Sequence, residues 1–319
     1  MWAMKVTGDG RLVWSQVPDP VARPGEALIA THATAVNRAD LLQRAGKYPP
    51  PPGWPEWMGL EAAGIVLAAP ASSRWRAGDR VCALLGGGGY AEQVAVPEAL
   101  VMPVPRGLSM EEAAALPEVF ATSYLNLCME AGMKTGDTVL IQAGASGLGM
   151  AAIQLAKAFG AEVVTTVGSA AKAEAVRRLG ADVVVRRNLE HLDRVLEEHP
   201  VDIAMDCVGG PDLGAHLERL ARGGRWILIG TLGGERSEIA LRPILQRGLR
   251  LIGSMLRSRS DEMKAAVLRK LEADVWPRIE TGEIQPVIYR VLPIQEAEEA
   301  HAILARNENI GKVVLKVRP

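Results

Sequence analysis

The sequence predicts an α/β chain in two domains, a β-rich domain interrupted by a doubly wound parallel sheet. Three observations carry this expectation. Short β-rich pieces broken by Gly and Pro fill residues 1 to about 105, and strand and helix then alternate strictly from about Asp137. The tail after Gly282 returns to strand, helix and strand. With 319 residues, the chain is long enough for two hydrophobic cores.

In the first stretch, "GEALIATHATAVN", "AGIVLAA", "DRVCAL", "GYAEQVAV" and "LVMPVP" are spaced as in a small antiparallel barrel or sandwich. Ser109 and Glu112 form a capping box, which predicts a helix running through "EEAAALPEVFATSYLNLCMEAG". Six strands follow, from "TVLIQAG" to "RLIGSML", several of them nearly continuous apolar runs, as expected of parallel strands covered on both faces. Between the first two, Leu148, Ala152, Leu155, Ala156 and Phe159 recur at helical spacing. Ser260 then caps a long helix reaching about Gly282, with Asp261 and Glu262 in its first turn. The tail is read as rejoining the first domain, which places the boundaries at 1–120 with 270–319, and 121–269.

Composition narrows the function classes. The chain is 48% hydrophobic and 23% charged with a net charge of −1, so nothing in its balance draws it to nucleic acid or anionic lipid. Cys82, Cys128 and Cys207 are scattered singles, which proposes neither a zinc site nor a disulfide framework and suits a reducing compartment. No apolar signal core opens the sequence, and no run approaches ~20 apolar residues. A soluble cytoplasmic protein without a membrane partner is expected.

The chemistry begins at "AGASGLG", Ala143 to Gly149, which follows an apolar strand and opens a helix. Glycines here let the backbone approach a pyrophosphate, and the helix start offers free N–H groups and a positive dipole end. Gly144, Ser146, Gly147 and Leu148 are therefore candidate cofactor contacts. Dinucleotide sites selective for NAD carry an acid about twenty residues further on, where it binds the ribose 2′-hydroxyl and repels a 2′-phosphate. The second strand instead ends in Val167-Gly168-Ser169, with Lys172 one helical turn on and Arg186-Arg187 closing the third strand. Gly168, Ser169, Lys172 and Arg187 together point to NADPH.

The pieces "NRADLLQRAGKYPPPPG", "GLEAAG", "AGASGLGMAAIQLAKAFGA", "DCVGG", "GRWILIGTLGG", "SMLRSR" and "NENIGKVVL" extend over nearly the whole chain. In combination they resemble the medium-chain dehydrogenase/reductases, and within them the zinc-independent quinone oxidoreductases, particularly the branch of the p53-inducible quinone oxidoreductase. The resemblance implies a GroES-like β-rich catalytic domain with an inserted Rossmann domain. Zinc alcohol dehydrogenases of that superfamily carry Cys-His at the place of Asn37-Arg38 and Gly-His-Glu at the place of Gly59-Leu60-Glu61. Asparagine and leucine do not replace a thiolate and an imidazole, so no metal is expected. Glu61 is read as keeping a structural ion pair.

Carried over position by position, the resemblance places Asn37 and Tyr48 as the catalytic candidates beside the substrate and Thr122 at the nicotinamide. It also places Gly230, Thr231, Leu232, Ser254, Met255 and Leu256 along the nicotinamide side, and Asn309 at the cofactor from the tail. The family commonly has Asn-Tyr where this chain has Arg186-Arg187.

A quinone is already a strong hydride acceptor, so it tolerates the loss of a Lewis acid. Tyr48 either donates a hydrogen bond to the carbonyl being reduced or packs on the proline-rich loop, and Asn37 orients the carbonyl or stabilises its own loop. The expected activity is NADPH-dependent quinone reduction. The alternatives are reduction of enals and enones, or a cofactor-bound crystallin or RNA-binding role known among relatives. The last apolar strand, "RLIGSML", is expected at a sheet edge, paired in a homodimer.

Overall fold

The computed structural model describes residues 1–318. These divide into two compact units, Met1–Ala121 together with Arg257 onward, and Thr122–Leu256. The first unit opens with β1 (Trp2–Val6) and β2 (Leu12–Gln16), an antiparallel hairpin. It continues with β3 (Glu26–Val36), β4 (Glu61–Ala68), β5 (Arg80–Leu84), β6 (Gln93–Pro97) and β7 (Val101–Pro103). The second unit supplies β8 (Thr138–Ile141), β9 (Glu162–Val167), β10 (Val183–Arg186), β11 (Ile203–Asp206), β12 (Arg225–Leu228) and β13 (Arg250–Gly253). Returning, the chain adds β14 (Ile288–Pro293) and β15 (Lys312–Lys316) to the first unit.

The sheet of the first unit runs β14-β15-β3-β4-β5-β7, with β6 also paired to β3. The tail thus rejoins the β-rich unit as its spacing suggests, and β15 enters between β14 and β3 with Val313 opposite Val36. Met4, Met58, Tyr90, Ile294, Ile303, Val313 and Leu315 are among the residues of its buried core.

The second unit is a six-stranded parallel sheet in the order β10-β9-β8-β11-β12-β13. Such an order reverses direction beside β8, the switch point at which open α/β sheets bind ligands. Val139, Leu140, Ile141, Val163 and Val164 are completely buried, in keeping with helices on both faces. At one edge, β13 leaves Leu251 exposed, and the preceding helix Leu241–Arg247 buries none of its residues.

Two helical expectations are corrected. The capping box is present, with Ser109 Oγ accepting from Glu112 N at 3.2 Å and Glu112 Oε2 accepting from Ser109 N at 2.8 Å. Yet the helix stops after Met110–Ala113, because Pro117 has no N–H to continue it and instead starts a second helix, Pro117–Tyr124. This second helix ends in a π-helical turn at Leu125–Glu130. Likewise the helix from Ser260 is two helices, Asp261–Asp274 and Trp276–Glu280, with Pro277 in the first turn of the latter. Both belong to the first unit: Trp276 Nε1 donates to Pro103 O at 2.7 Å, and Arg74 pairs with Glu272. The chain therefore returns at Arg257, ahead of the expected 270.

Candidate functional site

In the second unit, the glycine turn lies at the C-terminal end of β8. Ala143 adopts φ 55°, a left-handed conformation unusual for a residue with a side chain. Ala143 N is held by Thr166 Oγ1 at 3.1 Å, and that hydroxyl in turn donates to Gln142 Oε1 at 2.8 Å. A Cβ on Gly144 would come within 2.0 Å of Thr165 Oγ1, so only glycine lets the turn lie flat on β9. Ser146 caps the helix Gly147–Ala158, its hydroxyl accepting from Gly149 N at 3.0 Å. The amides of Gly147 and Leu148 have no carbonyl behind them in the helix, which makes them donors for an anion.

At the end of β9, Ser169 caps the next helix through Lys172 N at 3.3 Å. Arg187 N donates to Val167 O, and a Cβ on Gly168 would sit 3.7 Å from Arg187 Nη2. Gly168 and Arg187 are thus brought together from two separate stretches, with Lys172 in the first turn of the helix that Ser169 caps. The remaining cofactor candidates of this unit follow the C-terminal ends of β12 and β13. Gly230, Thr231 and Leu232 lead into a loop docked on the turn after β11, with Leu232 N donating to Cys207 O at 3.3 Å and Gly233 N to Val208 O at 2.7 Å. Asp206 organises that turn by accepting from Val208 N, Gly209 N and the Trp226 indole, and burial raises its carboxyl pKa. Ser254 carries a buried hydroxyl without a hydrogen-bond partner, flanked by exposed Met255 and buried Leu256. Thr122 lies one turn before Asn126, whose amide donates to Thr122 O at 2.7 Å.

In the first unit, Asn37 and Glu61 meet a residue to which the sequence reading gave no role. Lys312 Nζ donates to Glu61 Oε1 at 2.6 Å, to Asn37 Oδ1 at 2.8 Å and to Val36 O at 3.3 Å. Asn37 Nδ2 donates to Glu61 Oε1 at 2.8 Å and to Ala35 O at 3.3 Å. Glu61 Oε2 accepts from Glu118 N at 2.9 Å. Both amide hydrogens of Asn37 are committed, so its nitrogen is not a donor toward a carbonyl. Glu61 does hold a structural ion pair, with Lys312 as the partner.

Tyr48 lies under Arg257, whose guanidinium carbon is 4.6 Å from the ring centre. Arg257 also donates to Tyr48 O, Gln43 Oε1 and Gly86 O, and so fixes the loop that carries the tyrosine. Burial, reinforced by the Glu118 charge, raises the Tyr48 phenol pKa, with Arg257 opposing. The phenol is therefore a proton-bearing donor at neutral pH. Nearby in sequence, the Trp57 indole N–H is buried without a partner. Asn309 donates to Gly311 O at 2.7 Å, shaping the turn into β15. The sequence signal for Arg257 was "SMLRSR", a motif without a stated task. Lys312 lies in "GKVVL", where nothing in the sequence alone marks it as a partner of Glu61.

The sequence matches two family models. Residues 23–106 match the alcohol dehydrogenase GroES-like domain, and residues 147–273 match the zinc-binding dehydrogenase domain. Over 308 residues it is 31% identical to quinone oxidoreductase of Sus scrofa, covering 94% of this chain and 92% of that protein. The chain is a medium-chain dehydrogenase/reductase of the quinone oxidoreductase family. It also spans 6% of the polyketide synthase GfsB of Streptomyces halstedii, at 30% identity across the whole of this chain. Among solved structures, the quinone oxidoreductase from Thermus thermophilus, determined alone and with NADPH, superposes with a TM-score of 0.84 at 32% identity, covering 99% of this chain and 100% of that one. The family and the NADPH complex of the Thermus thermophilus protein imply a nicotinamide cofactor, and the free amides of the glycine turn and the orphaned Ser254 hydroxyl fit one. The donor set at Asn37 and Glu61 does not suit zinc: both side chains face the ammonium of Lys312, and the residue before Glu61 is the hydrocarbon Leu60. No helix among the described residues is long and apolar enough to cross a membrane.

Behind Asn37 lies a second buried cluster. Asp40 accepts from Asn37 N at 2.7 Å, Gly59 N at 3.2 Å and Tyr90 Oη at 3.2 Å, and Tyr90 Oη also meets His301 Nε2 at 3.2 Å. Burial raises the Asp40 carboxyl from its usual 3.8 to about 6 and lowers His301 from 6.5 to about 4. The two shifts oppose each other in stability. Between pH 3.8 and about 6 the native Asp40 binds more protons than the unfolded one, so its contribution falls as pH rises. Between about pH 4 and 6.5 the native His301 binds fewer, so its contribution rises with pH. Replacing His301 with leucine removes only the rising contribution, since Tyr90 keeps Asp40 as acceptor. The destabilisation of His301→Leu relative to the parent protein is expected to grow by about 3 kcal/mol across that window. Urea melts of both proteins at half-unit pH steps check this, and a pH-independent difference would contradict it.

Proposed function

We propose that this oxidoreductase transfers reducing equivalents from NADPH to a quinone. The observation that carries the reading is that Lys312 engages both Asn37 and Glu61, which leaves Tyr48 as the protonated side chain able to assist an acceptor carbonyl. Bound NADPH would supply a hydride from its dihydronicotinamide ring. Two electrons and one proton then reach the quinone, and the second proton comes from the Tyr48 hydroxyl, which is restored from water, or from water directly. An acceptor with so favourable a reduction needs positioning more than activation. The identity of the family relatives supports the same acceptor class.

The test is NADPH consumption with ortho- and para-quinones against 2-enals and enones. Turnover confined to quinones is expected, with Tyr48→Phe lowering kcat/KM by about tenfold, the worth of one hydrogen bond. Faster turnover of enals would reassign the protein as a double-bond reductase, in which Tyr48 protonates the α-carbon.

NADPH selectivity is assigned to Gly168, Ser169, Lys172 and Arg187, because β9 ends in Gly168-Ser169 where NAD-selective sites carry an acid. Arg187→Glu is expected to weaken NADPH binding by at least about tenfold, by loss of a charge-assisted contact and gain of repulsion, while leaving NADH binding nearly unchanged. Fluorescence titration with both cofactors measures this. Equal losses for the two would remove Arg187 from the 2′-phosphate site.

The exposed edge of β13, with Leu251 on the strand and Leu241 and Leu245 on the helix before it, supports a homodimer paired through that edge. Light scattering at micromolar concentration is expected to give twice the chain mass, and a monomer would overturn the pairing.

A further inference from the structure

We propose that Lys312 is a positioning residue, which turns the Asn37 amide so that its carbonyl oxygen, and not its nitrogen, is presented to a ligand. The proposal rests on the quinone reading above and deepens it.

An ammonium has three hydrogens and no acceptor, and here the three meet Glu61 Oε1, Asn37 Oδ1 and Val36 O. A carboxylate accepts only, and Glu61 takes hydrogens from Lys312, Asn37 and Glu118 N. Between an obligate donor and an obligate acceptor, the Asn37 amide has one orientation. Turned by half a rotation, it would set NH2 against the ammonium and oxygen against the carboxylate, two repulsive contacts inside a buried cluster. The side chains of Lys312 and Glu61 are 4% and 0% exposed, so water does not dilute that preference. Asn37 itself is half-buried and reaches the edge of the cluster.

Placement is equally determined. Lys312 begins β15, and Val313 pairs with Val36 on β3, which brings the ammonium beside Asn37. Glu61 begins β4 on the other side of β3. The first turn of the helix Pro117–Tyr124 supplies the Glu118 amide. Three elements therefore converge to set the rotation of one amide.

The consequence is chemical. With both hydrogens engaged, Asn37 offers a ligand only Oδ1, which Lys312 Nζ and the Asp40 amide of the capping box already approach, and the complement of that oxygen in a ligand is an N–H or O–H. A quinone carbonyl makes no hydrogen bond there. The hydroxyl that the same carbonyl becomes on reduction does, so Asn37 favours the reduced acceptor over the oxidised one.

The test uses the full chain. Lys312→Met alone strands a buried carboxylate, so the charge-neutral pair Lys312→Met/Glu61→Gln is made with it. In an asparagine-selective nitrogen-15 spectrum, the Asn37 side-chain NH2 signal, identified by its loss in Asn37→Ala, is expected to exchange slowly with solvent. In the neutral pair its protection is expected to fall at least about tenfold, the worth of one buried hydrogen bond, with little change in melting temperature. On a quinone substrate, Asn37→Ala is expected to cost about tenfold in kcat/KM in the parent background and less than about twofold in the neutral pair, the signature of residues acting as a unit. Unchanged protection, or an equal cost of Asn37→Ala in both backgrounds, overturns the proposal. If the parent protein reduces no quinone, the function reading fails while the exchange measurement still decides the orientation of Asn37.

Discussion

The first unit depends on one buried contact between residues 251 positions apart, the ammonium of Lys312 against the carboxylate of Glu61. Enclosing two charges is expensive, and the attraction between them repays the loss of water only when every remaining hydrogen and lone pair finds a partner. Here all three ammonium hydrogens and both carboxylate oxygens have partners, through Asn37, Val36 O and Glu118 N. A hydrophobic pair could fill the same volume. It would not specify the rotation of an amide, nor tie β15, β3, β4 and a helix start to a single point.

Beneath that point the cluster of Asp40, Tyr90 and His301 continues the polar seam into the core. Its acid is raised and its base is lowered, so near pH 5 both are close to neutral and the seam carries little net charge. The long segment between β3 and β4 is anchored at its start by Asp40, which binds the amides of Asn37 and Gly59, and in its middle by Arg257. A loop rich in proline thereby acquires fixed ends without regular structure of its own, and Tyr48 inherits its position from them.

Much of this was legible in the sequence. Six apolar runs, a glycine turn and helices with one apolar stripe define the parallel sheet, because each signal is local and repeats with the period of its element. The lack of an acid at the end of β9 was legible too, since it is visible without knowing where neighbouring strands lie. What escaped were relations between distant residues. Lys312 reads as one charge in a strand until β15 is known to lie beside β3, and the motif around Arg257 does not reveal that its guanidinium turns toward Tyr48 and Gly86. Helix ends were misjudged at Pro117 and Pro277 because the periodic apolar pattern runs across both prolines, while their missing N–H groups do not permit one continuous helix. The three scattered cysteines differ in a way their spacing does not show: Cys82 is fully buried, and Cys128 and Cys207 are partly exposed.

The insertion of one unit inside the other has a consequence for synthesis. Thr122–Leu256 is a continuous stretch whose sheet is complete once β13 has left the ribosome. The older part of the chain has no such independence. Its β3 lacks the neighbour β15, and the Glu61 carboxylate lacks its counter-ion, until residue 312 emerges. At translation rates of roughly 5–20 residues per second, the 251 residues between the two charges take on the order of ten seconds or more to make. Through that interval the residues before Thr122 hold an open sheet edge and a carboxylate that has to stay hydrated, until β15 pairs with β3 and brings the counter-ion.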